Sequence, residues 1–184
     1  MKTIRLSCAH ALFKFLIAQK TIIDGKKVPL FPGAFAIYGH GNVACLGQAM
    51  EEFQSDLPGY RGHHEQSMAL SGIGYARAMR RKQIFIATSS SGPGAMNMVT
   101  AAGVALSNRL PLLLLPGDVF ASRFPDPVLQ QVENFNSPVE NQNDAFKPVS
   151  RFFDRITRPE QILNSLPKAC LLYTSDAADE GGGG

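Results

Sequence analysis

The sequence predicts an α/β fold in which a parallel sheet carries helices on both faces. Short apolar stretches alternate along the chain with stretches whose apolar residues recur at helical spacing. The four leucines after Pro111 form a wholly apolar run, which is typical of a strand buried on both faces of a parallel sheet. A length of 184 residues suits one domain with a sizeable core and makes two full domains unexpected.

The composition is that of an ordinary globular protein, since 45% of the residues are hydrophobic and 18% are charged. The basic cluster Arg80-Arg81-Lys82 has no wider basic stripe around it, so we interpret it as a helix end and expect no nucleic-acid partner. No uncharged apolar run approaches the roughly 20 residues that span a bilayer, so no membrane partner is expected. Three widely separated cysteines favour neither a zinc site nor a disulfide framework and fit the cytoplasm.

The first third of the chain predicts two helices and one strand. Apolar residues at helical spacing indicate a helix over residues 4–19, with Thr3 or Ser7 as its cap. Pro29 and Pro32 indicate a loop before the next strand. The remaining elements of this part are a turn over residues 24–27, a strand over 34–38 and a helix over 42–53.

The rest of the chain continues the alternation. The predicted elements are helices over residues 65–79, 95–108 and 159–166, strands over 83–88, 111–115 and 152–156, and a turn over 89–94. Gly72 and Gly74 lie inside the first of these helices and each costs about 1 kcal/mol relative to alanine, so they indicate close packing. Residues 173–184 are of low complexity, and we expect them to be disordered or foreign to the domain.

The turn Gly39-His40-Gly41-Asn42-Val43-Ala44 matches the G-x-G-x-x-A pattern that cradles phosphates in dinucleotide-binding proteins. Such a site also needs an acidic residue at the end of a strand about 20 positions further on. Asp56 precedes a turn and Glu65 begins a helix, so neither occupies the required context. The dinucleotide interpretation is therefore incomplete.

Three predicted turns meet at the carboxyl edge of the sheet, where ligands bind in parallel α/β folds. These turns cover residues 39–42, 62–65 and 89–94. Glu65 has two interpretations there. As a first-turn carboxylate it stabilises its helix by about 0.3–1 kcal/mol. As a partly buried carboxylate it exchanges a proton with the ring nitrogen of a ligand.

Three segments resemble the thiamine-diphosphate enzymes related to acetohydroxyacid synthase. They are His64-Glu65-Gln66 with Gly74-Tyr75-Ala76-Arg77-Ala78, the turn Ser90-Ser91-Gly92-Pro93-Gly94-Ala95-Met96-Asn97, and the stretch from Arg109 to Asp118. The resemblance covers about residues 1–170. Within the superfamily, residues 1–6, 23–26, 38–43 and 152–161 are most similar to members that hydrolyse a cyclic 1,2-diketone in inositol catabolism.

The resemblance implies that residues 1–172 form the N-terminal pyrimidine-binding domain, incomplete at its C-terminal edge. Glu65 would hydrogen-bond the aminopyrimidine of thiamine diphosphate, and Glu65 and His40 would be catalytic. The expected cofactor-binding residues are Glu65, Gly39, Gly41, Ser91, Gly92 and Asn97. His63 and His64 are further acid–base candidates.

The resemblance also implies what lies outside this chain. Mg²⁺ and the diphosphate would be held by a C-terminal domain with a Gly-Asp-Gly motif, which this sequence lacks because Val119 follows Gly117-Asp118. The partners would be a cyclic diketone substrate and the diphosphate domain of a second subunit, so the chain alone is expected to be inactive. Two alternatives remain: an acetohydroxyacid synthase-like carboligase or decarboxylase, and a non-catalytic nucleotide- or cofactor-binding module.

Overall fold

A four-stranded parallel sheet forms the centre of the computed structural model, which describes residues 3–122, 128–137 and 139–179. Its strands, in spatial order, are β4 (Gly59–Arg61), β3 (Ala34–Ala36), β5 (Ile86–Ser89) and β6 (Leu113–Pro116). A separate antiparallel hairpin joins β1 (Lys20–Ile23) to β2 (Lys26–Pro29). The predicted fold class is confirmed.

Helical segments connect the strands and follow the sheet. They are α1 (Cys8–Ala18), α2 (Gly39–Asn42), a π-helical turn (Val43–Gly47), α3 (Gln48–Glu52), α4 (Glu65–Ala78), α5 (Pro93–Asn97), α6 (Val99–Ser107), two 3₁₀ segments (Gln142–Val149 and Pro159–Gln161) and α7 (Ile162–Asp179). Ser7 caps α1 as expected, because its Oγ accepts a hydrogen bond from the backbone N–H of His10 at 3.2 Å. None of the helices in the described part of the chain is long and apolar enough to cross a membrane.

The sheet separates two apolar layers. Successive side chains of a strand point to opposite faces, so Ala34 and Ala36 join a cluster that includes Phe13 of α1. Phe35, between them, packs in the second cluster with Ala69 of α4. Helices therefore cover both faces, and the carboxyl ends of β3, β4, β5 and β6 lie at one edge.

The hairpin and β4 were not predicted from the sequence. Asp24 and Gly25 both have positive φ, at 50° and 76°. Two consecutive residues with positive φ form the two-residue turn that is common in β-hairpins. The turn is predicted from the sequence, whereas Pro29 and Pro32 predict a loop where the structure has β2, which ends at Pro29. Strand β4 has only three residues, too few to show an apolar alternation.

The C-terminal part of the fold differs from the prediction in two ways. Strand β6 is half-buried, not buried on both faces, because it lies at the edge of the described sheet. Residues 152–156 do not form the predicted strand. The same apolar cavity of about 300 Å³ is lined by β6 and by Phe152, Phe153, Asp154 and Ile156, and among the described residues no further strand pairs with β6.

Helix α7 is longer than predicted. It continues past residue 166 through Asp179, so the backbone of residues 173–179 is helical where the sequence analysis expected disorder. Residues 180–184 lie outside the described residues. The domain boundary at residue 172 stays a prediction.

The two glycines inside α4 have different surroundings. A Cβ on Gly72 would lie 2.9 Å from Leu112 Cδ1 and 3.3 Å from Phe85 Cβ, so the predicted close packing is confirmed there. A Cβ on Gly74 would meet no described atom within 4 Å, so close packing does not explain this glycine.

We expect Gly74→Ala to raise the free energy of unfolding by about 0.5–1 kcal/mol, because alanine is the better helix former and finds open space. Gly72→Ala gains the same helix propensity but crowds Leu112 and Phe85, so it should be destabilising by about 1 kcal/mol. Urea unfolding of the two variants measures both effects. Equal changes in the two variants would contradict this explanation.

Arg155 links the segment after β6 to the first 3₁₀ segment. Its Nε donates to Asp118 Oδ2 at 2.9 Å, and one terminal nitrogen donates to Asp144 Oδ1 and Asn141 Oδ1, both at 3.0 Å. The other terminal nitrogen donates to the carbonyl of Val139 at 3.0 Å. Burial alone would raise the pKa of Asp144, but bonds from the Asn141 backbone, Lys147 and Arg155 outweigh it and lower that pKa.

The lowered pKa of Asp144 predicts a loss of stability in acid. Its contribution is fully present above the unfolded pKa of about 4 and is lost as the pH falls through the lower folded pKa. Asp144→Asn should therefore be less stable than the parent at pH 7 and lose less stability between pH 5 and pH 2. Urea unfolding across this range measures the difference, and parallel pH profiles would refute it.

Candidate functional site

The turns after β3 and β5 are in direct contact at the carboxyl edge of the sheet. The side-chain amide of Asn42 donates to the carbonyl oxygen of Ser89, the last residue of β5, at 2.6 Å. Asn42 begins the predicted helix over residues 42–53, but its side chain makes no capping bond. Its amide instead fixes one turn against the other.

Gly39 and Gly41 have unequal surroundings, although both were predicted to bring the backbone close to a cofactor. Gly39 has a φ of 51°, and a Cβ there would overlap the Cβ of Ser90. Gly41 has a φ of 92°, and a Cβ there would meet no described atom within 4 Å. The space beside Gly39 is therefore filled by Ser90, whereas the backbone at Gly41 is open to a ligand.

Glu65 is the first residue of α4, as predicted, and its side chain is half-buried. Its Oε2 accepts a hydrogen bond from Asn97 Nδ2 at 3.0 Å. Its Oε1 lies 3.0 Å from the position that a Cβ on Gly94 would occupy. The carboxylate thus lies against α5, on the turn that follows β5.

Ser91 and Gly92 lie deeper in the same turn. Ser91 is only 2% exposed, and its Oγ has no hydrogen-bond partner among the described residues. Buried hydroxyls are normally paired, so this oxygen could be satisfied by a ligand. Gly92 has a φ of 62°, and a Cβ there would overlap the carbonyl oxygen of Gln130. Gly92 is therefore covered by the chain itself, whereas the Ser91 hydroxyl lacks a partner.

The three predicted histidines lie on the surface beside these turns. His40, His63 and His64 are all exposed. His40 separates Gly39 from Gly41 and has extended backbone, with φ −67° and ψ 133°. This position places its imidazole at the carboxyl edge of β3, and its catalytic role stays a prediction.

Two residues of the site were missed by the sequence analysis. Ser90 is 4% exposed and occupies the space that side chains on Gly39 and Gly94 would fill. Because Gly94 has no side chain, it leaves room for the Glu65 carboxylate against α5. The sequence could have indicated Gly94, because it is the second glycine of a Gly-Pro-Gly pattern and lies three residues before Asn97. Nothing in the local sequence distinguishes Ser90 from its neighbouring serines.

Metal binding was expected from a part of the protein outside this chain. Among the described residues, no three histidine, cysteine, aspartate or glutamate side chains are grouped so that they could hold a metal ion together.

An α/β domain with an acidic residue at the start of a helix beside a glycine-rich turn is consistent with a cofactor-binding domain. Residues 33–137 match the family model described as "Thiamine pyrophosphate enzyme, N-terminal TPP binding domain". The matched range contains every predicted site residue. The chain belongs to this family.

The chain is also similar to curated bacterial proteins named 3D-(3,5/4)-trihydroxycyclohexane-1,2-dione hydrolase. It is 54% identical over 173 residues to the protein from Shouchella clausii, with 94% of this chain and 27% of the relative covered. It is 51% identical over 176 residues to the proteins from Bacillus velezensis and Bacillus subtilis, with 96% of this chain and 28% of each relative covered. The chain thus spans just over a quarter of the length of these relatives.

Substitutions of Gly39 and Gly41 test how the turn after β3 packs against Ser90. Alanine in place of either glycine must adopt a positive φ, which costs roughly 1–2 kcal/mol. Gly39→Ala must also displace Ser90, so its free energy of unfolding should fall by about 1–3 kcal/mol more than that of Gly41→Ala. Denaturant unfolding of both variants measures this difference. An equal loss would show that Ser90 does not restrain Gly39.

Proposed function

We propose that this chain is the pyrimidine-binding part of a thiamine-diphosphate-dependent hydrolase that opens the ring of trihydroxycyclohexane-1,2-dione. The carrying observation is the half-buried carboxylate of Glu65, which lies where the turns at the carboxyl edge of the sheet meet. The family of the chain and the names of its relatives support the cofactor and the substrate, respectively. The proposed product is open-chain 5-deoxy-glucuronate.

The described residues fit the pyrimidine half of thiamine diphosphate in three respects. Glu65 presents a carboxylate oxygen to which no hydrogen bond is described, and Ser91 has a buried hydroxyl without a partner. Gly41, in the turn after β3, offers open backbone at the same edge of the sheet. When bound, thiamine diphosphate supplies a nucleophilic carbon that attacks a carbonyl and accepts the electrons of the carbon–carbon bond that breaks.

Glu65 performs the proton transfer in this proposal. A carboxylate within hydrogen-bond reach of a ring nitrogen can give it a proton and take it back, which is general acid–base catalysis. His40, at the same edge, is the second proposed acid–base group.

The rest of the active site is proposed to lie outside this chain. A C-terminal domain would hold Mg²⁺ and the diphosphate, and a second subunit would bring that domain to the pyrimidine site of this one. The functional protein would then be a homo-oligomer, a dimer or a tetramer, in the cytoplasm. The 184-residue chain alone is expected to show no turnover.

The test of this function is Glu65→Gln in the full-length protein. Loss of the exchangeable proton should slow hydrogen–deuterium exchange at the reactive carbon of bound thiamine diphosphate by about 10²- to 10⁴-fold. Glu51→Gln is the matched control, since Glu51 is an exposed carboxylate on α3, outside the residue ranges of the three turns. Exchange is followed by proton NMR after acid quenching, and a near-normal rate in Glu65→Gln would refute the role of Glu65.

The substrate is tested separately with the unmodified full-length protein. Trihydroxycyclohexane-1,2-dione should be consumed with formation of one equivalent of an open-chain acid, whereas pyruvate should yield no carboligation product. Acetolactate formation from pyruvate without diketone consumption would favour the carboligase. Tight binding of NAD and no binding of thiamine diphosphate would favour the non-catalytic module.

A further inference from the structure

We propose that Asn97 is a positioning residue for Glu65, not a contact of the cofactor as the sequence suggested. On this account α5 holds the Glu65 carboxylate in one orientation through Asn97 and Gly94, before any ligand binds. The inference deepens the proposed function and rests on it.

The geometry of α5 carries the inference. Gly94 and Asn97 are three residues apart, a spacing that places them on the same face of a helix. This face meets both oxygens of the carboxylate. Asn97 Nδ2 donates to Oε2 at 3.0 Å, and Oε1 lies over the bare Cα of Gly94.

The two oxygens of Glu65 consequently have different roles. Oε2 is engaged by Asn97, whereas no hydrogen bond to Oε1 is described. Oε1 is thus the oxygen available to exchange a proton with a ligand. A side chain on Gly94 would crowd this oxygen and overlap Ser90 Oγ, so glycine is required for the arrangement.

Fixing the carboxylate should matter for the rate because a glutamate side chain otherwise samples several rotamers. A hydrogen bond to a charged acceptor is among the stronger ones in proteins. Losing it would leave the productive orientation only partly populated, and proton transfer depends steeply on orientation. The expected loss of rate is about five- to tenfold, smaller than the loss caused by removing the carboxylate itself.

The affinity for the cofactor distinguishes a positioning residue from a residue that contacts the cofactor directly. A positioning residue acts on the rate of proton transfer and leaves binding almost unchanged, whereas a direct contact changes both. Asn97 is exposed, so its substitution does not open a cavity in the core. Loss of folding is therefore not expected from Asn97→Ala.

The experiment combines calorimetry of thiamine diphosphate binding with the exchange rate at the cofactor carbon, both on the full-length protein with Mg²⁺. The variants are Asn97→Ala, Asn97→Asp, Glu65→Gln and the double variant Asn97→Ala/Glu65→Gln. Asn108→Ala is the matched control, because Asn108 is an exposed asparagine at the end of α6, and among the described residues its amide donates only to the carbonyl of Val104.

We expect Asn97→Ala to slow exchange about five- to tenfold while the dissociation constant changes less than about twofold. Asn97→Asp keeps the shape of the side chain but places a second carboxylate beside Glu65, so it should slow exchange more than Asn97→Ala at neutral pH. The double variant should be no slower than Glu65→Gln, because residues that act through one group are not additive. Asn108→Ala should match the parent.

Three outcomes would overturn the inference. The first is an unchanged exchange rate in Asn97→Ala. The second is a dissociation constant of Asn97→Ala that rises by as large a factor as its exchange rate falls. The third is a double variant that exchanges more slowly than Glu65→Gln by the same factor by which Asn97→Ala is slower than the parent. The second of these would restore the cofactor contact predicted from the sequence. A normal exchange rate in Glu65→Gln would instead sink the proposed function itself, so the two failures are distinguishable.

Discussion

The position of the candidate site depends on the packing of one small side chain, Ser90, which directly follows the central strand β5. Ser90 occupies the space that a Cβ on Gly39, in the turn after β3, or on Gly94, in α5, would fill. Because both backbones approach Ser90 closely, the turns after β3 and β5 are held against each other. The carboxylate of Glu65 then lies over Gly94 and reaches Asn97. A larger residue at any of these three small positions would separate the turns.

This packing divides the edge of the sheet into closed and open parts. A Cβ on Gly39 or Gly92 would overlap other residues of the chain, whereas a Cβ on Gly41 would meet no described atom within 4 Å. At this edge the hydroxyl of Ser91 and Oε1 of Glu65 have no described hydrogen-bond partner. Groups fixed in position before a ligand binds avoid the cost of reorganisation during the reaction. In this structure the protein has fixed the carboxylate by contacts between its own residues.

Much of this arrangement could be predicted from the sequence, because it depends on local patterns. The alternation of apolar runs gave the parallel α/β class, and Glu65 was correctly placed at the start of α4. The bond between Asn97 and Glu65 could not be predicted, since it joins residues 32 positions apart through the register of the strands. Strand β6 is half-buried because it lies at the edge of the sheet. The composition of a strand does not reveal whether the strand lies at an edge.

The central claim is that Glu65, held by α5, meets the pyrimidine ring of the cofactor. A crystal structure of the full-length protein with thiamine diphosphate and Mg²⁺ tests it most directly. The account predicts Glu65 Oε1 within about 2.6–3.2 Å of a pyrimidine ring nitrogen. Asn97 should remain bonded to Oε2, with no contact of its own to the cofactor. A pyrimidine ring bound elsewhere, or bonded to Asn97 with Glu65 turned away, would contradict it.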